Sequence, residues 1–79
     1  MKIRKKSKRR NDKAITNVGT NIKILRGRLG LSQKQLDELT GLRCYRYEAG
    51  ELDFSLTTLT IYSEALEVNL CELLMPEDD

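Results

Sequence analysis

Residues 30–56 read GLSQKQLDELTGLRCYRYEAGELDFSL, and they predict two short helices joined by a tight turn. Ser32 and Gln35 form a capping box, the hydroxyl accepting from the Gln35 amide while the Gln35 side chain returns to the Ser32 amide. A helix therefore starts at Gln33 and runs to about Thr40. Leu31 and Leu36 stand at hydrophobic-staple spacing, and Leu36 and Leu39 give this helix an apolar edge. Gly41 ends it, because glycine takes positive φ at no steric cost. The third helix must then fit between Gly41 and Glu48.

Outward from this unit, Ile15, Val18, Ile22, Leu25 and Leu29 recur at alternating spacings of three and four, which keeps them on one side of a helix from about Lys13 to Leu29. Gly30 supplies its stop, and Lys23, Arg26 and Arg28 lie off the stripe. On the other side, Ser55 caps a fourth helix with Phe54 and Leu59 at staple spacing and Leu56, Leu59, Tyr62, Ala65 and Leu66 as its inward edge. Asn69 with Glu72 is a second capping box, Val68 with Leu73 a third staple, and Pro76 marks the end of a short fifth helix. The reading is all-α: a compact five-helix domain over residues 14–76, a basic arm over 1–13, and an acidic, frayed tail over 77–79.

The ordered set Ile22, Leu25, Arg26, Leu31-Ser32-Gln33, Leu36, Gly41, Glu48-Ala49-Gly50, Ser55-Leu56-Thr57-Thr58-Leu59 and Leu70 to Leu74 resembles the helix-turn-helix domain of the Cro and lambda-repressor type, the XRE family. The resemblance covers most of the chain and implies a lambda-repressor-like fold that binds double-stranded DNA. It implies that Arg26 pairs with Glu48 as a structural couple, and that Gln33, at the first turn of helix two, meets a DNA phosphate with Lys34 beside it. As a bare surface residue Gln33 tolerates an exposed first turn equally well.

The chain departs from the family pattern at three places. Only Leu42 to Tyr47 lie between Gly41 and Glu48, about three residues fewer than usual, a loss of about 4.5 Å of helix with an apolar face slipped by only about 60°. Counting back from Glu48 puts Tyr47, Cys44 and Leu42 inward and leaves Arg43, Tyr45 and Arg46 to face a DNA groove, where arginine can fork onto guanine or phosphate and tyrosine can touch a sugar or thymine methyl. Asp37 stands where the family has alanine, at the crossing of helices two and three. A buried carboxylate there needs a partner, and Arg43 or Arg46 is the expected one. After Gly50 come Glu51, Leu52 and Asp53, acids that repel DNA unless they point away.

The chain has 79 residues and a net charge of +2, which conceals a division. Residues 1–13 hold eight Lys or Arg against Asp12, a net +7, while residues 14–79 hold six basic against eleven acidic side chains, a net −5. The arm, including Lys5, Lys6, Arg9 and Arg10, has too little apolar surface to fold alone. It reads as a solvated tail, as a phosphate grip with steep salt dependence, or as a strap folded back on the acidic body. No run reaches the roughly 20 apolar residues of a membrane span, so a cytoplasmic location is expected. The chain has no histidine and two cysteines, Cys44 and Cys71, without paired spacing. Neither a metal site nor a redox motif can be assembled from these, no cofactor or small-molecule ligand is indicated, and both cysteines are expected to fill apolar positions.

Without a histidine, a nucleophile set or a phosphate-cradling glycine loop, catalysis is not expected. Two binding functions remain. One is a sequence-specific, repressor-like transcriptional regulator that places a shortened recognition helix in the major groove, a homodimer through helix five at Leu70, Leu73 and Leu74. The other is a protein-interaction module of the same fold that has lost specific DNA readout. Helix five has its own bland reading, as an ordinary core-closing helix.

Overall fold

The computed structural model describes residues 10–76. Five helices follow in order: α1 Asp12–Arg28, α2 Gln33–Thr40, α3 Cys44–Glu48, α4 Leu56–Leu66 and α5 Leu70–Leu74, with no strand among the described residues. Lys5, Lys6, Arg9 and the tail 77–79 lie outside the described residues.

Local chemistry sets the helix ends where the sequence places them. The Asn11 side chain accepts from the Ala14 amide to open α1, Ser32 and Gln35 close the capping box of α2 in both directions, and Ser55 accepts from the Thr58 amide to open α4. Glu72 returns to the Asn69 amide at 3.3 Å to open α5. Past α1 the chain makes a Schellman turn, with the Leu31 amide donating to the Arg26 carbonyl at 3.0 Å and the Gly30 amide to Gly27 at 3.0 Å. The same motif recurs past α3, with Glu51 donating to Arg46 at 2.9 Å and Gly50 to Tyr47 at 3.2 Å. Gly41 stops α2 at φ 75°.

The helices close around Val18, Ile22, Leu25, Leu36, Cys44, Tyr62, Leu66 and Leu73. α1 packs against α3, α4 and α5, and α2 packs against α3 and α4. Tyr47, Phe54 and Tyr62 form an aromatic trio with centroids 5.0 to 6.3 Å apart. Phe54 in this trio pins the connection from α3 to α4.

Several expected core positions lie outside. Leu56 is 70% exposed, because six residues from Tyr62 is about 120° around a helix. Leu39, 63% exposed, lies beyond the edge of the contact that Leu36 makes. Leu29 is the C-cap of α1, where the chain turns away, and is exposed. Cys71 is exposed, contrary to expectation, because it sits two residues from the buried Leu73 and so on the opposite face of α5. Leu73 in turn is fully buried within its own domain and is no dimer contact, since α5 packs on α1 and α4. Leu42 is half-buried and packs on the core.

The crossing of α1 and α3 depends on Gly19. A Cβ there would lie 2.6 Å from the Tyr47 carbonyl oxygen and 3.2 Å from the Glu48 Cα, both of them backbone atoms that cannot step aside. Gly19→Ala is expected to push α3 away from α1 and lower the unfolding free energy by about 1–3 kcal/mol in urea denaturation, despite alanine's better helix propensity. A stability equal to or above that of the parent chain would show that the helices are not in contact at this point.

Candidate nucleic-acid interface

The helix-turn-helix unit is α2, the turn 41–43 and α3. α3 has five residues, far too few to persist alone. It is held from within by one carboxylate. Arg26 of α1 donates from Nε to Glu48 Oε2 at 2.7 Å and from Nη2 to Oε1 at 3.1 Å, and its Nη1 reaches the Leu31 carbonyl at 2.9 Å. Gln33 Nε2 donates to Glu48 Oε1 at 2.9 Å, and the Cys44 thiol donates to Oε2 at 3.0 Å. The Arg26 and Glu48 side chains are only 15% and 7% exposed.

Burial alone would raise the Glu48 carboxyl, but the hydrogen bonds from Arg26, Cys44 and Gln33 and the Arg26 charge outweigh it and hold the carboxyl below its ordinary value. Burial pushes the Cys44 thiol up to about 12, and the hydrogen bond to Glu48 adds to the shift. Cys44 is therefore a protonated donor inside the core, with no thiolate character.

Asp37 does not pair with Arg43 or Arg46. Its Oδ1 accepts from the Cys44 backbone amide at 2.7 Å, so a side chain of α2 caps the first turn of α3. The reason is geometric: α3 begins at Cys44 and its N-cap residue, Arg43, makes no side-chain cap, leaving an orphan amide that faces α2. Arg46 instead turns back, its Nε donating to Glu51 Oε1 at 3.1 Å.

The remaining sequence-predicted residues divide between the surface and the fold. Lys34, Arg43 and Tyr45 are exposed on α2, the turn and α3. Gln33 is half-buried with its amide nitrogen committed to Glu48, so the side chain braces the fold. Arg10 is committed as well: Nη2 donates to the Gly50 carbonyl at 2.9 Å, Nη1 to the Glu51 carbonyl at 3.2 Å, and Nε pairs with Asp12 at 3.2 Å. The root of the arm thus straps onto the turn that follows α3. Sequence reasoning left Gly19 unread, although a glycine among the buried positions of a helix signals close backbone approach. The Cys44 donor role carried no signal at all.

Among the described residues no cluster of three or more His, Cys, Asp or Glu could hold a metal ion, and no helix is long and apolar enough to cross a membrane.

A helix-turn-helix family model, HTH_3, matches residues 22–73. Among solved structures, the chain is similar to the restriction-modification controller protein C.AhdI from Aeromonas hydrophila, with 34% identity over 75% of this chain and 94% of that one and a TM-score of 0.69. It is also similar to the hypothetical transcription factor NHTF from Neisseria, with 25% identity over 95% of this chain and 91% of that one and a TM-score of 0.72. No curated protein sequence matches it.

Asp37→Ala is expected to lower the unfolding free energy by about 1–2 kcal/mol through loss of the α3 cap, with Asp37→Asn retaining most of it because an amide oxygen still accepts. An unchanged midpoint in thermal denaturation followed by circular dichroism would contradict the cap. The depressed Glu48 carboxyl has a linked pH consequence. As pH falls below the ordinary carboxylate value the unfolded chain takes up a proton that folded Glu48 refuses, so stability drops until the folded-state carboxyl is protonated too. Urea denaturation across this window should show a shallower decline for Glu48→Gln than for the parent; parallel declines would mean that Glu48 titrates normally.

Proposed function

As a member of the HTH_3 helix-turn-helix family the chain is a DNA-binding transcriptional regulator, and we propose that it grips double-stranded DNA through the exposed face of α2, the turn and α3. The observation that carries this reading is the matched span itself: residues 22–73 include the whole helix-turn-helix unit, on which Lys34, Arg43 and Tyr45 are exposed. Arg43, Tyr45 and Arg46 brace or read the major groove, and Lys34 and the Gln33 backbone amide meet phosphates. Residues 1–9, including Lys5, Lys6 and Arg9, add a nonspecific electrostatic grip, with Arg10 fixing where that arm begins.

The regulator acts in the cytoplasm as a homodimer and as a repressor, and catalysis is no part of its role. Leu74 and Met75 at the end of α5 and Ile24 on α1 are exposed and apolar, which supports a two-fold contact on that side of the domain, with Leu70 half-buried beneath it. The second reading, a protein-interaction module without DNA readout, draws on the five-residue α3 and the engagement of Arg46 by Glu51.

Selection from a pool of random-sequence duplexes, run with the full chain and with residues 2–9 deleted, separates the two. The expected result is one enriched palindromic motif for both chains, with half-sites about 34 Å apart, and weaker binding with a smaller salt slope for the deletion. A single, non-palindromic half-site would overturn the homodimer. Loss of all enrichment, or binding that vanishes with the arm, would favour the interaction module.

A further inference from the structure

The turn that follows α3 gathers two guanidinium groups on one residue. The Schellman geometry brings residue 46, in the last turn of the helix, against residue 51 just past it, where an apolar contact is the common pairing. Here the pair is Arg46 and Glu51, at 3.1 Å. Arg10 arrives at the same turn from the other end of the chain, bonded to the carbonyls of Gly50 and Glu51. The Arg46–Glu51 pair is 42% and 52% exposed, so water screens it and it contributes little to folding. Its consequence is electrostatic: it neutralises one of the two arginines of the recognition segment in the free protein.

We infer that Glu51 is a built-in competitor for DNA phosphate, its carboxylate holding Arg46 in the place a phosphate oxygen takes in the complex. This rests on the reading of α3 as the DNA-facing helix. A carboxylate and a phosphate present the same kind of anionic oxygen to a guanidinium fork, and the exchange is a swap of acceptors on a side chain that is already near the surface. The swap leaves Glu51 unpaired beside a polyanion, which offsets the gain from the new contact. Glu51 thereby lowers the affinity of the α3 end for any duplex, whatever its sequence, and the weight of discrimination moves to Arg43 and Tyr45. Arg10 is unaffected by the exchange because it binds backbone carbonyls.

The test is a double-mutant cycle in the full chain, with Glu51→Gln, Arg46→Gln and both together, read by fluorescence anisotropy on a short mixed-sequence duplex at two salt concentrations. Glu51→Gln is expected to bind about three- to tenfold tighter at low salt, with the dependence of log K on log salt steeper by up to about 1. In the Arg46→Gln background the same substitution is expected to change affinity less than about twofold. A gain of equal size in both backgrounds would reduce Glu51 to a generic repulsive charge, and no gain at all would remove its role; either overturns the inference. Thermal unfolding of each variant confirms that the turn stays folded. If selection finds no preferred sequence, the regulator reading fails on its own, since this cycle needs only phosphate contacts.

Discussion

A single carboxylate, Glu48, holds three helices in register. It is nearly buried, and a lone charge in that position would cost several kcal/mol in desolvation. The bidentate fork of Arg26 from α1, the Gln33 amide from α2 and the Cys44 thiol from α3 together supply four hydrogen bonds to its two oxygens. Removing the arginine alone would strand the carboxylate, at about 3–5 kcal/mol, a large share of the stability of a domain this size. Because α3 cannot persist alone, this polar knot fixes its position more than any propensity of its own. Gln33 consequently braces the fold through its side-chain amide.

The apolar core around this knot tolerates one imperfection. The Tyr62 hydroxyl is buried and has no hydrogen-bond partner among the described residues, and its acidity is suppressed chiefly by burial, with the Cys44 thiol adding to the shift. An unsatisfied hydroxyl costs about 1–3 kcal/mol. The ring offsets this: its burial contributes about 1.5–3 kcal/mol, and its edge-on contacts with Tyr47 at 5.6 Å and Phe54 at 6.3 Å add about 0.5–1.5 kcal/mol each. The aromatic body wins over the polar tip, and the trio it completes sets the path from α3 into α4.

The legible parts of the fold were those written locally. Ser32 with Gln35, the glycines at 30 and 41, and Ser55 act within a few residues of themselves, so the sequence states them outright; the Arg26–Glu48 couple was implied by resemblance. Burial of Leu39, Leu56 and Cys71 was misread because periodicity gives a face and not its width, and the neighbouring helices cover less of α2, α4 and α5 than the apolar residues span. Asp37 was read correctly as needing a partner and wrongly as needing a cation. What lay opposite it was a backbone amide, and no side-chain inventory contains those. Arg10 was read with the arm, yet two of its guanidinium nitrogens are spent on a turn about forty residues away, a contact only the tertiary structure reveals.

The Asp37 cap also bears on how much a five-residue helix can read. In a helix this short the first four amides have no intrahelical acceptor, so α3 is little more than two caps, and the Asp37 bond to Cys44 supplies one of them from across the motif. That leaves Arg43, Tyr45 and Arg46 as the groove-facing set proposed here, and one of the two arginines starts from a bond with Glu51. A good bidentate arginine contact is worth about 1–3 kcal/mol of discrimination, and with Arg46 on a phosphate one protomer has only Arg43 to supply such a contact. Specific regulators discriminate by about 4–10 kcal/mol. Two protomers on two half-sites bring the arginine share to about 2–6 kcal/mol, which overlaps that range, whereas the single arginine of one protomer falls short of it. The shortened helix thus gives the proposed two-fold assembly a second rationale, added specificity, beside that of covering the exposed end of α5.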